Sequence, residues 1–86
     1  MEDSIIYKGQ YFYIVESYIE KRKTPILDIL VEDEDGPFLL GEIKWFGAWR
    51  KFCFYPSSDT VWDNKCLQEL VNFLNDYNKE YRNRSK

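Results

Sequence analysis

Apolar and polar positions alternate along the first two thirds of this chain and recur at three and four in the last third. Residues 11–19, YFYIVESYI, concentrate aromatic and β-branched side chains, which favours a strand. A helical spacing through Tyr11, Ile14, Val15, Tyr18 and Ile19 is the alternative reading of the same stretch. KRKTP, residues 21–25, is a turn, because proline restricts Thr24 to extended backbone. ILDILV, residues 26–31, is a second strand. The acidic turn EDEDGP, residues 32–37, joins it to a third strand over 38–46, and a fourth covers 49–55. Residues 1–10 are a lead-in, and residues 56–59, PSSD, are a loop.

From Cys66 onward Leu67, Leu70, Val71, Leu74, Tyr77 and Tyr81 form one apolar stripe, which predicts an amphipathic helix over residues 63–82. Asp63 suits the N-cap, and Arg82 and Arg84 suit the negative C-terminal end. Gln68, Glu69, Asn72, Asn75, Asp76 and Lys79 fall mostly on the polar side. Residues 83–86 are a frayed tail. The expected fold is α+β: one domain with an antiparallel meander of about four strands, one face covered by the single helix. The other face has no predicted cover.

The hairpin GEIKWFGAWRKFCFYP, residues 41–56, is the unusual feature. With Gly47-Ala48 as a two-residue tip, Phe46 faces Trp49, Trp45 faces Arg50, Lys44 faces Lys51 and Ile43 faces Phe52. Leu39, Ile43, Trp45, Arg50, Phe52 and Phe54 then share the face expected under the helix. Leu40, Glu42, Lys44, Phe46, Trp49, Lys51, Cys53 and Tyr55 share the other. Opposed lysines destabilise a strand pair, and an anion between them would relieve this. Lys44, Phe46, Trp49, Arg50, Lys51 and Tyr55 are therefore the candidate binding residues, with aromatic rings flanking cations as in single-strand binders. The same residues also fit ordinary sheet stabilisation and edge solubility.

Composition narrows the function. The chain has 86 residues, 44% hydrophobic and 19% aromatic, with three Trp, seven Tyr and six Phe. So small a body cannot bury every ring, and exposed apolar surface usually marks a contact. Lys+Arg is 12 against Asp+Glu 15, a net charge of −3, which argues against a general nucleic-acid binder. The run Glu32, Asp33, Glu34, Asp35 is a candidate partner-facing acidic turn. It contrasts with the run Lys21, Arg22, Lys23. Two cysteines, Cys53 and Cys66, without histidine make no zinc site and read as reduced packing residues of a cytosolic protein, with a disulfide between them the alternative. No apolar run is long enough for a membrane span. No cofactor or metal is expected. Glu16, Glu20, Asp28 and Glu42 are available carboxylates, but no spacing joins them into a catalytic site, so the chain reads as non-enzymatic.

Two resemblances add to this. Gly41, Lys44, Trp45, Phe46, Arg50, Phe52 and Phe54 are similar in spacing to the first hairpin of cold-shock domains, although Lys51 and Cys53 replace glycines there. That resemblance implies base stacking on Trp45, Phe52 and Phe54, the side expected under the helix. The stretch IKWFGAWRKFCFYP, followed by Thr60, Trp62 and Cys66-Leu67, resembles small proteins of phages, prophages and other mobile elements. It implies a phage setting and not a mechanism, and small acidic phage proteins often act by binding. The first expectation is inhibition of a host defence protein in the host cytosol. The second is nucleotide or single-stranded nucleic-acid binding on the hairpin face. The third is self-association through the uncovered face or an edge.

Overall fold

A computed structural model describes residues 3–84. Its sheet has five strands, not four, in sequence order: β1 (Asp3–Lys8), β2 (Tyr13–Ser17), β3 (Ile26–Asp33), β4 (Gly36–Phe46) and β5 (Lys51–Pro56). All pairs are antiparallel. The helix α1 spans Asn64–Arg84. The added strand, DSIIYK, lies within the expected lead-in. Its alternation is broken by the bulge at Ile6, which leaves Ile5 opposite Val15 and Tyr7 opposite Ile14. Residues 13–17 are strand, so the helical alternative for that stretch does not occur.

The helix covers the face that alternation selects. Ile14, Leu27, Ile29, Ile43 and Phe52 are wholly buried beneath it, joined by Phe12 and Leu70. Trp45, Phe54 and Trp62 pack around them. Phe52 is edge-on to three rings: Trp45 at 5.3 Å, Tyr77 at 5.0 Å and Tyr81 at 4.9 Å. The helical stripe that packs is Cys66, Leu70, Phe73, Leu74, Tyr77 and Tyr81. Leu67 and Val71, expected within it, lie on its exposed flank, 41% and 47% exposed. Asp63 caps the helix as expected, its carboxylate accepting from the Cys66 amide at 2.8 Å.

Two details of the hairpin differ from expectation. The turn has four residues, 47–50, so Phe46 pairs with Lys51, Trp45 with Phe52, Lys44 with Cys53 and Ile43 with Phe54. The Arg50 amide donates to the Phe46 carbonyl at 2.9 Å, and Arg50 takes a left-handed φ of 56°. Ala48 is poorly suited to a two-residue turn, and the longer turn moves the strain to Arg50. Lys44 and Lys51 are therefore not opposed, and Arg50 is an exposed tip residue, not a core-face one. A shift of two keeps every other side chain on its expected face. The second difference is at Leu39 and Leu40. Ile29 pairs with Gly41 but Leu30 pairs with Leu39, so Leu40 is a bulge residue. Leu40 packs against the core, while Leu39 is 38% exposed.

Polar side chains of the helix fasten it to the sheet. Glu69 accepts from the Tyr7 hydroxyl and from the amides of Gln10 at 3.1 Å and Tyr11 at 3.2 Å. A Cβ on Gly9 would fall on this carboxylate, which is why the β1–β2 turn has glycine there. The Tyr77 hydroxyl donates to Glu16 at 2.7 Å. Asn78 accepts from the Phe52 amide at 2.8 Å and donates to the Phe52 carbonyl at 3.1 Å. Its carboxamide therefore acts as one peptide of a sixth strand and closes part of the β5 edge.

Asn78→Ala should cost about 1–3 kcal/mol, since it leaves the Phe52 peptide unpaired in a half-buried site. Urea midpoints check the loss, and light scattering should show concentration-dependent association through the opened edge. A variant with unchanged midpoint and mass would show that Asn78 does not hold that edge. Alkaline pH provides a second check. Desolvation first, then the Glu69 hydrogen bond, push the Tyr7 hydroxyl up to about 12 from 10.0, and desolvation and Glu16 push Tyr77 up as well. The unfolded chain ionises these groups first. Their contribution is thus full below about pH 10 and is lost as pH rises through the folded values. Stability should fall above about pH 10, and less steeply in Tyr7→Phe and Tyr77→Phe chains.

Candidate functional site

No described residue covers the face of the sheet opposite the helix. Cross-strand pairing orders it in rows: Ile5, Val15, Asp28, Glu42 and Tyr55 across all five strands, and Tyr13, Leu30 and Leu39 beside them. Tyr13, Val15, Leu30 and Tyr55 are half-buried by their neighbours alone, and Ile5 is 52% exposed. A shallow groove of about 440 Å³ borders the face, lined by Ile5, Tyr11, Tyr13, Val31 and Glu32 among others.

Of the hairpin residues singled out from the sequence, the structure gathers two groups. Lys44 lies 3.5 Å from the Glu42 carboxylate and 4.5 Å above the Tyr55 ring. Its charge is thus already answered within the face. At the far end Phe46 and Trp49 meet edge-on at 4.9 Å, with Lys51 opposite Phe46. Trp49 is 67% exposed at the tip, next to exposed Arg50. Trp45, Phe52 and Phe54, the stacking residues implied by the cold-shock resemblance, pack under the helix or against Trp62. That face offers no base-stacking platform.

The acidic run lies at the other end of β4, about 35 Å away for eleven residues of strand. Glu32 and Asp33 end β3, and Glu34 and Asp35 form the turn. Glu32 accepts from the Tyr13 hydroxyl at 2.6 Å, a bond that holds that phenol above its usual range. Tyr13, Val15, Leu30 and Leu39 were missed as surface residues. The signal was present, since ILDILV is apolar at both parities and a sheet covered once buries only one of them.

The two cysteines are both free and lie on opposite faces. Cys66 packs toward the core, and burial pushes its thiol up, with Asp63 and Glu69 adding to this. Cys53 is half-exposed on the open face, not a core residue. Among the described residues no three His, Cys, Asp or Glu side chains gather to hold a metal. No described helix is long and apolar enough to cross a membrane.

No family model matches the chain, and no solved structure matches it. Over 53 residues it is 40% identical to an uncharacterized 9.3 kDa protein of Acholeplasma phage L2, an alignment covering 62% of this chain and 68% of that one. The chain belongs to the family of small phage proteins that includes this 9.3 kDa protein.

Proposed function

We propose that the protein acts by binding a host protein through the open face of its sheet, as an inhibitor of a host defence. The observation that carries this reading is the continuous apolar and acidic row structure of a face with no internal cover. Val15, Leu30, Tyr13 and Tyr55 supply apolar contact, and Glu32 at the end of β3 supplies negative charge, Glu42 being already paired with Lys44. The exposed turn at Glu34 and Asp35 extends that charge beyond the sheet. Such a surface fits a partner that is apolar at its centre and basic around it. A second copy of this chain fits less well, because face-to-face packing would bring the carboxylate rows together. An anionic ligand on the hairpin face also fits less well, because Lys44 is engaged by Glu42 and Tyr55. The phage family supplies the setting in which such an inhibitor operates.

The test is capture from host lysate, comparing the natural chain with Leu30→Lys. The substitution places a cation in the middle of the face, and circular dichroism establishes that it still folds. One protein retained by the natural chain should be lost by the variant, and the purified pair should bind with reduced affinity in salt. Equal retention by both chains, or no specific protein at all, would remove the reading. A bulky maleimide gives an independent check. It should react at half-exposed Cys53 before Cys66, whose thiolate burial disfavours. The modified face should no longer capture the partner.

A further inference from the structure

The meander delivers alternate turns to opposite ends of the sheet. The β2–β3 loop and the β4–β5 turn share one end, and the C-terminus of α1 joins them there, since Arg84 acts on Tyr18 and Arg82 borders Trp45. Lys21, Arg22 and Lys23 project from the loop, all exposed. Arg50 and Lys51 project from the turn, also exposed. With strands spaced about 4.8 Å, the two hairpins leave the sheet roughly 10 Å apart. None of these five cations is in an ion pair with a described residue. Glu20 lies in the loop, and Glu80 lies with Arg84 on the β2 flank of the helix.

Between β5 and the helix end is a cleft of about 150 Å³ lined by Trp45, Arg50, Lys51, Asn78, Tyr81 and Arg82. Three cations border a space with two aromatic walls. The backbone adds an independent observation. Lys21 has φ 76° and Arg50 has φ 56°, the region where glycine is favoured. Asp59 shares this conformation at φ 62°, so of the three described non-glycine residues in that region two are basic and lie at this end. Trp49, 67% exposed, and Tyr18, 52% exposed, stand at the same end.

We propose that this basic end binds single-stranded nucleic acid, with one phosphate seated in the cleft beside Arg50, Lys51 and Arg82. Guanidinium groups match phosphate geometry, and exposed rings next to cations stack unpaired bases. The cleft lies on the helix side of the hairpin tip, whereas Lys51 and the Phe46–Trp49 pair belong to the end of the open face, so the site wraps the tip and leaves out the rows of Tyr13, Val15 and Leu30. The net charge of −3 is no obstacle, because the acidic run lies at the opposite end, several screening lengths away.

Anisotropy of a labelled oligothymidylate of about fifteen nucleotides, titrated with the whole chain at low salt, tests this. Binding should weaken with salt at a log–log slope of about −2 to −3.5, for three to five phosphates. Arg50→Gly relaxes the left-handed backbone and removes the cation. It should keep or raise Tm while weakening binding about five- to tenfold. Trp49→Ala should weaken it by a similar or larger factor, and Leu30→Lys should not weaken it. No binding at low salt would overturn the proposal. So would equal binding by the natural, Arg50→Gly and Trp49→Ala chains. Equal affinity for duplex DNA, for an acidic peptide or for inorganic phosphate alone would also overturn it, since each removes the need for an unpaired base.

Discussion

Phe52 is the residue on which the two layers depend, because the helix holds it twice. Its ring is wholly buried among Trp45, Tyr77 and Tyr81, and its peptide is bonded on both sides by Asn78. The ring contact is large and tolerant of direction, and burial of such a ring contributes about 1.5–3 kcal/mol. The peptide contact is small but directional. Together they fix how far the helix slides along β5 and how it turns about its own axis. At the other end Glu69 fixes the same helix to the β1–β2 turn. One helix therefore clamps both edge strands of a five-stranded sheet.

That clamp has a consequence for the opposite face. The one helix among the described residues covers one side only. Once Phe52, Ile43 and Trp45 face the helix, pleating sends Glu42, Lys44 and Tyr55 to solvent. The internal Lys44–Glu42 and Lys44–Tyr55 contacts satisfy polar groups of a face that no second described layer meets. The exposed apolar side chains beside them have no such partners, and they are the part of the surface that gains most from a contact.

Much of the fold was legible because period-two and period-3.6 patterns depend on side-chain direction alone. The core residues Ile43, Trp45, Phe52 and Phe54 follow from alternation, and the Asp63 cap from residue type. The hairpin register was misread by two because turn length depends on whether Arg50 accepts a left-handed backbone, which no pattern of polarity encodes. Leu39 and Leu40 exchanged places because a bulge adds one residue without altering composition. Glu69 and Asn78 were hidden for another reason. On a helix a polar side chain that fastens a backbone peptide looks the same, in sequence, as one that meets water. The open-face residues Val15 and Leu30 are readable as apolar but not as half-buried on an open face, since that requires knowing how many layers pack on the sheet.

Charge shows the same gap between composition and arrangement. A net value of −3 describes the whole surface and no particular part of it. In an antiparallel meander successive turns alternate between ends, so runs of like charge placed in alternate turns accumulate at one end. Here KRK lies in the β2–β3 connection, WRK spans the end of the β4–β5 turn and the first residue of β5, and EDED spans the end of β3 and the turn between. Had the two basic runs been in consecutive turns, they would have lain at opposite ends, separated by the length of a strand. The topology thus converts a sequence of modest overall acidity into a molecule with one strongly basic end. Coulomb energy falls with distance and is screened beyond about 8 Å at physiological salt. A ligand at that end therefore meets the local cations and scarcely senses the acidic turn about 35 Å away.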